Sequence, residues 1–185
     1  MDRPQIRQLG AIPNLFSCLR ILLVPEFLWL YVGGERPAAL AVLVLSGVSD
    51  FLDGRAARRL GLVTPLGKIL DPVADKLTQF AVISCLATEY NPVIFLLCIL
   101  FAKEASAAVC GAALLASGGG SFSSLWYGKL STGALYVFSG ILLLWRVGRG
   151  ALLWLTVAAS CVVLAAFVLY TFEFVRKITG AYRDG

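Results

Sequence analysis

Four aspartates with helical spacing lie between apolar stretches of the chain. Asp50 and Asp53 are three residues apart, and Asp71 and Asp75 are four residues apart. At these spacings both members of a pair lie on one face of an α-helix. Two successive helices would each present a pair of carboxylates, and carboxylates this close repel one another unless cations lie between them. The spacing therefore predicts a cation site at the ends of two helices.

The residue types narrow the chemistry of this site. The chain contains no histidine, which excludes His-ligated zinc, Ser-His-Asp catalysis and imidazole general bases. Carboxylate oxygens are hard ligands that suit Mg²⁺, Mn²⁺ or Ca²⁺, and a pair of such ions can clamp phosphate oxygens during displacement at phosphorus. Gly54 leaves room beside Asp53 for a ligand to approach the backbone. The structural alternative is a set of salt bridges at a wet helix end, with the basic residues Arg55, Arg58, Arg59 and Lys76.

The composition indicates a membrane protein of the all-α class. The chain is 59% hydrophobic and 15% charged, whereas a soluble domain is about a quarter charged. We predict one polytopic membrane domain over residues 1–185, without a cleaved signal peptide. Its six transmembrane helices are predicted at about 12–32, 38–59, 68–89, 92–117, 122–145 and 150–178. Pro13 and Pro25 are expected to divide the first helix into two pieces.

The distribution of Lys and Arg predicts the orientation in the membrane. With the N-terminus inside, ten basic residues lie at the inner helix ends and three in the outer loops. The outer ones are Arg36, Arg146 and Arg149. Because positive charge accumulates on the cytoplasmic side, we expect both termini and the aspartates at the cytoplasmic face of the cell membrane.

The aspartates belong to a longer pattern of fixed positions between residues 50 and 75. The pattern Asp50-x-x-Asp53-Gly54-x-x-Ala57-Arg58, eight residues, Gly67-x-x-x-Asp71-x-x-x-Asp75 resembles the signature of the CDP-alcohol phosphatidyltransferases. IPNLFSCLRILLVP at 12–25, LGKILDPVADKL around Asp71 and GKLST at 128–132 are similar to bacterial phosphatidylglycerophosphate synthases of that family. The resemblance covers most of the chain up to about residue 132.

The resemblance implies a fold, a reaction and a set of site residues. It implies a six-helix membrane fold, usually dimeric, in which an alcohol hydroxyl attacks the β-phosphorus of CDP-diacylglycerol and CMP leaves. Asp50, Asp53 and Asp71 would bind two divalent ions, Mg²⁺ or Mn²⁺, and Asp75 would act as ligand and general base. Binding of CDP-diacylglycerol would involve Gly54, Ala57, Arg58, Gly67 and Asn14. Arg20, in the same segment as Asn14, either borders the nucleotide or packs helices.

Two lysines are candidates for binding the acceptor alcohol. The resemblance at GKLST implies that Lys129 holds the phosphate of the acceptor, with sn-glycerol 3-phosphate as first choice; a snorkelling anchor is the alternative. Lys103 is an intramembrane charge next to Glu104, and such charges face a cavity or each other. The similar synthases carry an Arg seven residues after this Glu, where this chain has Gly111.

The missing arginine leaves other functions open. Phosphatidylglycerol as acceptor, which gives cardiolipin, is the second hypothesis, and an inositol phosphate acceptor is the third. A cation transporter with intramembrane acids is the remote fourth, since transporters place such acids near the bilayer midplane on broken helices.

The orientation can be tested with an impermeant thiol reagent on intact cells. A cysteine added after Gly185 should stay unlabelled, whereas Gly148→Cys, in the last predicted outer loop, should be labelled. Labelling is measured by the mass shift of the purified protein against the unsubstituted chain. The reverse pattern would contradict the charge-based orientation.

Overall fold

Regular structure in the described chain is helical throughout. The computed structural model describes the backbone of residues 12–60, 67–116 and 126–181, and the side chains of 17–49, 70–113 and 128–176. Within these ranges there are six helices: α1 (Ile12–Val32), α2 (Arg36–Leu60), α3 (Gly67–Glu89), α4 (Asn91–Ala116), α5 (Trp126–Leu144) and α6 (Arg149–Ala181). The predicted all-α class and the six predicted helices are confirmed there, with small differences at the helix ends.

Helix α1 is continuous, so the prediction that prolines divide it was wrong. Pro13 lies in the first turn, where the backbone N–H has no partner within the helix and its loss costs little. Pro25 lies inside the helix and removes one backbone hydrogen bond without ending it. Apolar helices tolerate such a proline when neighbouring helices pack around it. Helix α3 likewise contains Pro72.

A short turn with a left-handed glycine joins α1 to α2. Gly34 has φ +82°, a conformation that costs other L-residues about 1–2 kcal/mol. The Gly34 N–H donates to the Tyr31 carbonyl at 3.1 Å, and the Glu35 N–H donates to the Leu30 carbonyl at 2.9 Å. These two bonds form a Schellman motif, which satisfies the last carbonyls of α1. The chain can therefore reverse direction within three residues.

The described chain groups into two compact units, of which the first carries the signature. This unit comprises residues 1–85 and 140–146, and α1 packs against α2 within it. Phe27 of α1, Leu43 of α2 and Val82 of α3 are buried and line one small apolar cavity. The first three helices therefore share a core, and this core positions the signature residues of α3 relative to α1.

The second unit comprises residues 86–139 and 147–185, and α4 packs against α6 within it. Val93, Leu96 and Leu100 recur at helical spacing on α4 and are fully buried. Val163 and Ala166 of α6 are buried as well. One face of each helix thus forms an apolar core. The prediction of a single domain over residues 1–185 stays a prediction.

Two of the described helices are long and apolar enough to cross a membrane. The spans are Asn91–Ala113 and Arg149–Arg176, with mean hydropathy 2.1 and 2.5. Large apolar side chains on these helices, such as Phe95, Phe101, Trp154 and Phe172, are exposed. Exposing such surface to water is unfavourable by about 25 cal/mol per Å², and lipid would remove that cost. Membrane crossing by the other four helices stays a prediction.

The turn after α1 gives a test of the fold. Gly34→Ala should destabilise the protein by about 1–2 kcal/mol, because alanine must adopt the left-handed conformation there. The midpoint of thermal unfolding in detergent should fall by roughly 2–4 °C or more for a chain of this size. Gly148→Ala is the matched control, since a Cβ there meets no atom within 4 Å and the φ is not left-handed. Equal midpoints for both variants would contradict the assigned turn.

Candidate functional site

Two signature aspartates lie one turn apart near the start of α3. Asp71 and Asp75 are both half-buried, and a separation of four residues places them on the same side of the helix. Asp50 and Asp53 lie in the second half of α2, which belongs to the same unit as these residues of α3. The side chains of Asp50 and Asp53 lie outside the described residues, so the cluster of four carboxylates stays a prediction.

Asp71 is held by two side chains of α1. The Ser17 hydroxyl donates a hydrogen bond to Asp71 Oδ1, and Arg20 Nη2 lies 3.4 Å from the same oxygen. Arg20 is fully buried, whereas the side chain of Asp71 keeps 44% of its exposure. The buried guanidinium and the carboxylate compensate each other's charge. The exposed part of Asp71 remains accessible to a ligand.

Asp75 is held from within its own helix. Gln79 Nε2 donates to Asp75 Oδ2 at 2.7 Å, one turn further along α3. Gln79 is buried, so its amide is fixed by packing and limits the rotation of the carboxylate. The arrangement orients a half-exposed oxygen acceptor beside Asp71. Such an acceptor can coordinate a cation or take a proton from a bound hydroxyl.

The donor set of α3 fits a hard divalent cation. Asp71 and Asp75 supply carboxylate oxygens, and the chain has no histidine. Mg²⁺ and Mn²⁺ favour such oxygens over sulfur or nitrogen. Over the described side chains, no group of three or more potential ligands occurs, and two carboxylates alone do not complete a coordination shell. A full site therefore requires further oxygens, for which Asp50 and Asp53 are the predicted source.

Sequence reasoning missed Ser17 and Gln79 as supports of the carboxylates. Gln79 carried a usable signal, because it follows Asp75 by four residues and amide–carboxylate pairs at this spacing meet on a helix. Ser17 had no local signal, since its partner is 54 residues away. Of the two interpretations of Arg20, the structure supports helix packing through an ion pair. The predicted nucleotide-binding residues Asn14, Gly54, Ala57, Arg58 and Gly67 lie outside the described side chains.

The second unit contains the two predicted acceptor-binding lysines, in different environments. Lys103 is 3% exposed, and its Nζ lies 2.7 Å from Glu104 Oε1. It also lies 3.5 Å from Ser131 Oγ on α5. Lys103 thus already has an anionic partner, as expected for a charge inside an apolar helix. This pairing weakens the prediction that Lys103 binds the acceptor.

Lys129 is the exposed one of these two lysines. It lies near the start of α5, two residues before Ser131, and its side chain is exposed. A Cβ at its neighbour Gly128 would be in ordinary van der Waals contact with the ring of Tyr170 on α6, 3.6 Å from Cε2. An ammonium in this position is available to an anionic ligand.

Three curated proteins show what the chain is similar to. It is 41% identical over 109 residues to a cardiolipin synthase (CMP-forming) of Streptomyces coelicolor, covering 56% of this chain and 51% of that protein. It is 43% identical over 83 residues to a CDP-diacylglycerol–glycerol-3-phosphate 3-phosphatidyltransferase of Pseudomonas fluorescens, covering 43% of each. The chain thus spans about half the length of these two relatives.

A longer alignment reaches a probable phosphatidylglycerophosphate synthase of Mycobacterium tuberculosis. The identity is 28% over 183 residues, which cover 96% of this chain and 84% of that protein.

A family model covers nearly all of the helices described above. The model described as CDP-alcohol phosphatidyltransferase matches residues 10–172. The match contains the complete spacing from Asp50 to Asp75, together with Ser17, Arg20 and Gln79, which hold the carboxylates in place. By this match, the chain belongs to the CDP-alcohol phosphatidyltransferase family.

Proposed function

We propose that this protein transfers a phosphatidyl group from CDP-diacylglycerol to an alcohol and releases CMP. The observation that carries the proposal is the Asp71–Asp75 pair, half-exposed and oriented by Ser17, Arg20 and Gln79, within the spacing of the family signature. Family membership supports this reaction class and argues against a cation transporter. Two apolar helices long enough to cross a membrane suit an enzyme whose substrate is a lipid.

The residues that would hold metal are Asp50, Asp53, Asp71 and Asp75. Two Mg²⁺ or Mn²⁺ ions bound there would neutralise the pyrophosphate of CDP-diacylglycerol and the departing CMP. In this assignment Ser17 and Arg20 hold the Asp71 carboxylate at a fixed position, which removes the need to order it when substrate binds. Because Arg20 is already close to Asp71, its guanidinium also adds positive potential on the side where phosphate enters.

Asp75 is the proposed general base. Its carboxylate takes the proton of the acceptor hydroxyl while that oxygen attacks the β-phosphorus, and the bond between phosphorus and the CMP oxygen breaks. Gln79 is a positioning residue, since its amide fixes the rotation of Asp75 at 2.7 Å. The predicted cytidine diphosphate pocket consists of Asn14, Gly54, Ala57, Arg58 and Gly67. A homodimer with cytoplasmic termini and site completes this proposal.

For the acceptor we retain sn-glycerol 3-phosphate. The support is Lys129, an exposed ammonium of the kind that holds a phosphate, and the printed names of the Pseudomonas and Mycobacterium relatives. Phosphatidylglycerol is the second candidate, which would make the protein a cardiolipin synthase. It is favoured by the pairing of Lys103 with Glu104, which leaves one fewer cation for an acceptor phosphate, and by the Streptomyces relative. No observation favours an inositol phosphate.

Removing one carboxylate charge tests the metal assignment. Asp71→Asn should lower turnover at least about 100-fold, because a lost ligand charge weakens metal binding and transition-state stabilisation by several kcal/mol. CMP release by the purified enzyme is measured across a Mg²⁺ titration, and excess EDTA should abolish it in the unsubstituted enzyme. Glu35→Gln, an exposed carboxylate in the α1–α2 turn, is the control and should behave as the unsubstituted enzyme. Full activity of Asp71→Asn at low Mg²⁺ would contradict the assignment.

The acceptor is tested through Lys129. Lys129→Ala should raise the KM for sn-glycerol 3-phosphate about ten- to a hundred-fold, because a charge-assisted contact to phosphate is lost. The KM for CDP-diacylglycerol should stay unchanged, and Lys129→Arg should restore much of the affinity. Steady-state kinetics with both acceptors separates the candidates. If the enzyme ignores glycerol 3-phosphate and converts phosphatidylglycerol, the second candidate replaces the first.

A further inference from the structure

A cleft of about 540 Å³ opens in the second unit, and none of its lining residues belongs to the signature. Its lining includes Glu89, Asn91, Pro92, Arg149, Leu152 and Leu153. The volume is in the range of small-molecule sites, whereas the apolar cavity near Phe27 measures about 10 Å³. None of the proposed catalytic steps uses these residues.

The cleft lies where two apolar helices begin. The candidate membrane spans start at Asn91 and at Arg149, and both residues line the cleft. The charged and polar groups Glu89, Asn91 and Arg149 therefore lie at the boundary between water and hydrocarbon. In the charge-based orientation this boundary is the outer one.

The lining combines opposite charges with an apolar wall. Arg149 and Glu89 are both exposed, and both line the cleft. Pro92 and Leu153 add apolar surface, and Leu153 is 52% exposed, whereas Leu152 behind it is buried. A ligand that matches all three features has an anionic group, a cationic group and an attached hydrocarbon chain.

The backbone adds to the anionic subsite. Two helices begin at the cleft, α4 at Asn91 and α6 at Arg149. The first N–H groups of a helix have no partner within it and carry partial positive charge. At α4 this donor set is reduced, because Pro92 has no N–H and the Val93 N–H donates to the Tyr90 carbonyl at 2.9 Å, so the backbone contribution comes from the start of α6. Together with the guanidinium of Arg149, a group that can bind phosphate in a bidentate manner, it favours an anionic phosphate over an uncharged polar ligand.

From this arrangement we propose that the cleft binds the headgroup of a zwitterionic phospholipid with a primary ammonium, phosphatidylethanolamine. The phosphate lies against Arg149 and the start of α6, the ammonium against Glu89, and an acyl chain along Pro92 and Leu153. The apolar wall selects the lipid over its soluble headgroup. A bound lipid of the membrane is thereby part of the folded second unit.

Native mass spectrometry of the full delipidated chain in detergent tests this, with EDTA present so that metal-dependent binding at the aspartates is absent. Titration with phosphatidylethanolamine should give one bound lipid. Arg149→Ala should weaken its binding about tenfold, as expected for one lost charge-assisted contact. Arg146→Ala, an exposed arginine three residues earlier that does not line the cleft, is the matched control and should bind as the unsubstituted chain.

Two further arms identify the ligand chemistry. Glu89→Gln should reduce binding of phosphatidylethanolamine while leaving that of phosphatidic acid, which lacks the ammonium, unchanged. Soluble O-phosphoethanolamine should not displace the lipid at equal concentration. The proposal is overturned if Arg149→Ala and Arg146→Ala bind equally, if Glu89→Gln affects both lipids alike, or if O-phosphoethanolamine competes as well as the lipid.

Discussion

The charge of Arg20 is the constraint on which the candidate site depends. Its side chain is fully buried, and taking a guanidinium out of water costs several kcal/mol unless an anion and hydrogen-bond acceptors replace the solvent. Asp71 supplies that anion at 3.4 Å, so α1 packs against α3 in the register that brings Ser17 and Arg20 to this carboxylate. The same register fixes where Asp75 lies relative to α1, since Asp75 follows Asp71 by one turn of α3. Gln79 orients its carboxylate.

In the second unit a buried charge is compensated by a residue next to it in the sequence. Lys103 is nearly fully buried and lies 2.7 Å from Glu104, its neighbour in sequence. The pair leaves almost no net charge in the apolar part of α4, where an unpaired ammonium would be costly. Lys129 is exposed, so its charge carries no cost of burial that a partner must compensate. Of these two lysines, Lys103 has an anionic partner beside it and Lys129 is exposed; binding of the acceptor by either stays a prediction.

Polarity along the helices explains where ligands are expected. The middles of α4 and α6 present exposed apolar side chains such as Phe101 and Leu164, which suit lipid, whereas the polar cleft residues Asn91 and Arg149 lie where these helices begin. Of the signature aspartates, Asp71 and Asp75 likewise lie near the start of α3, whereas Asp50 and Asp53 lie in the second half of α2. A charged substrate headgroup with hydrocarbon chains is stable at such a boundary, since each part meets its preferred medium. Both the proposed reaction and the proposed lipid cleft follow this division.

Local features of the sequence were sufficient to predict the all-α class, the six helices and the position of Asp71 and Asp75 on one face of a helix. Hydropathy and helical spacing depend only on residues close together in the sequence. The family signature added the reaction class. Asp50 and Asp53 could be assigned from spacing alone, and their part in the cluster stays a prediction. The tertiary structure decided the rest: the continuity of α1 through Pro25, the partner of Arg20, the pairing of Lys103, and the cleft that brings Glu89 near Arg149. These outcomes depend on which groups are close in space after packing. Arg20 and Asp71 are 51 residues apart in the sequence, and no local pattern predicts their contact. The energy of an ion pair depends on the distance between the charges and on their burial rather than on position along the chain.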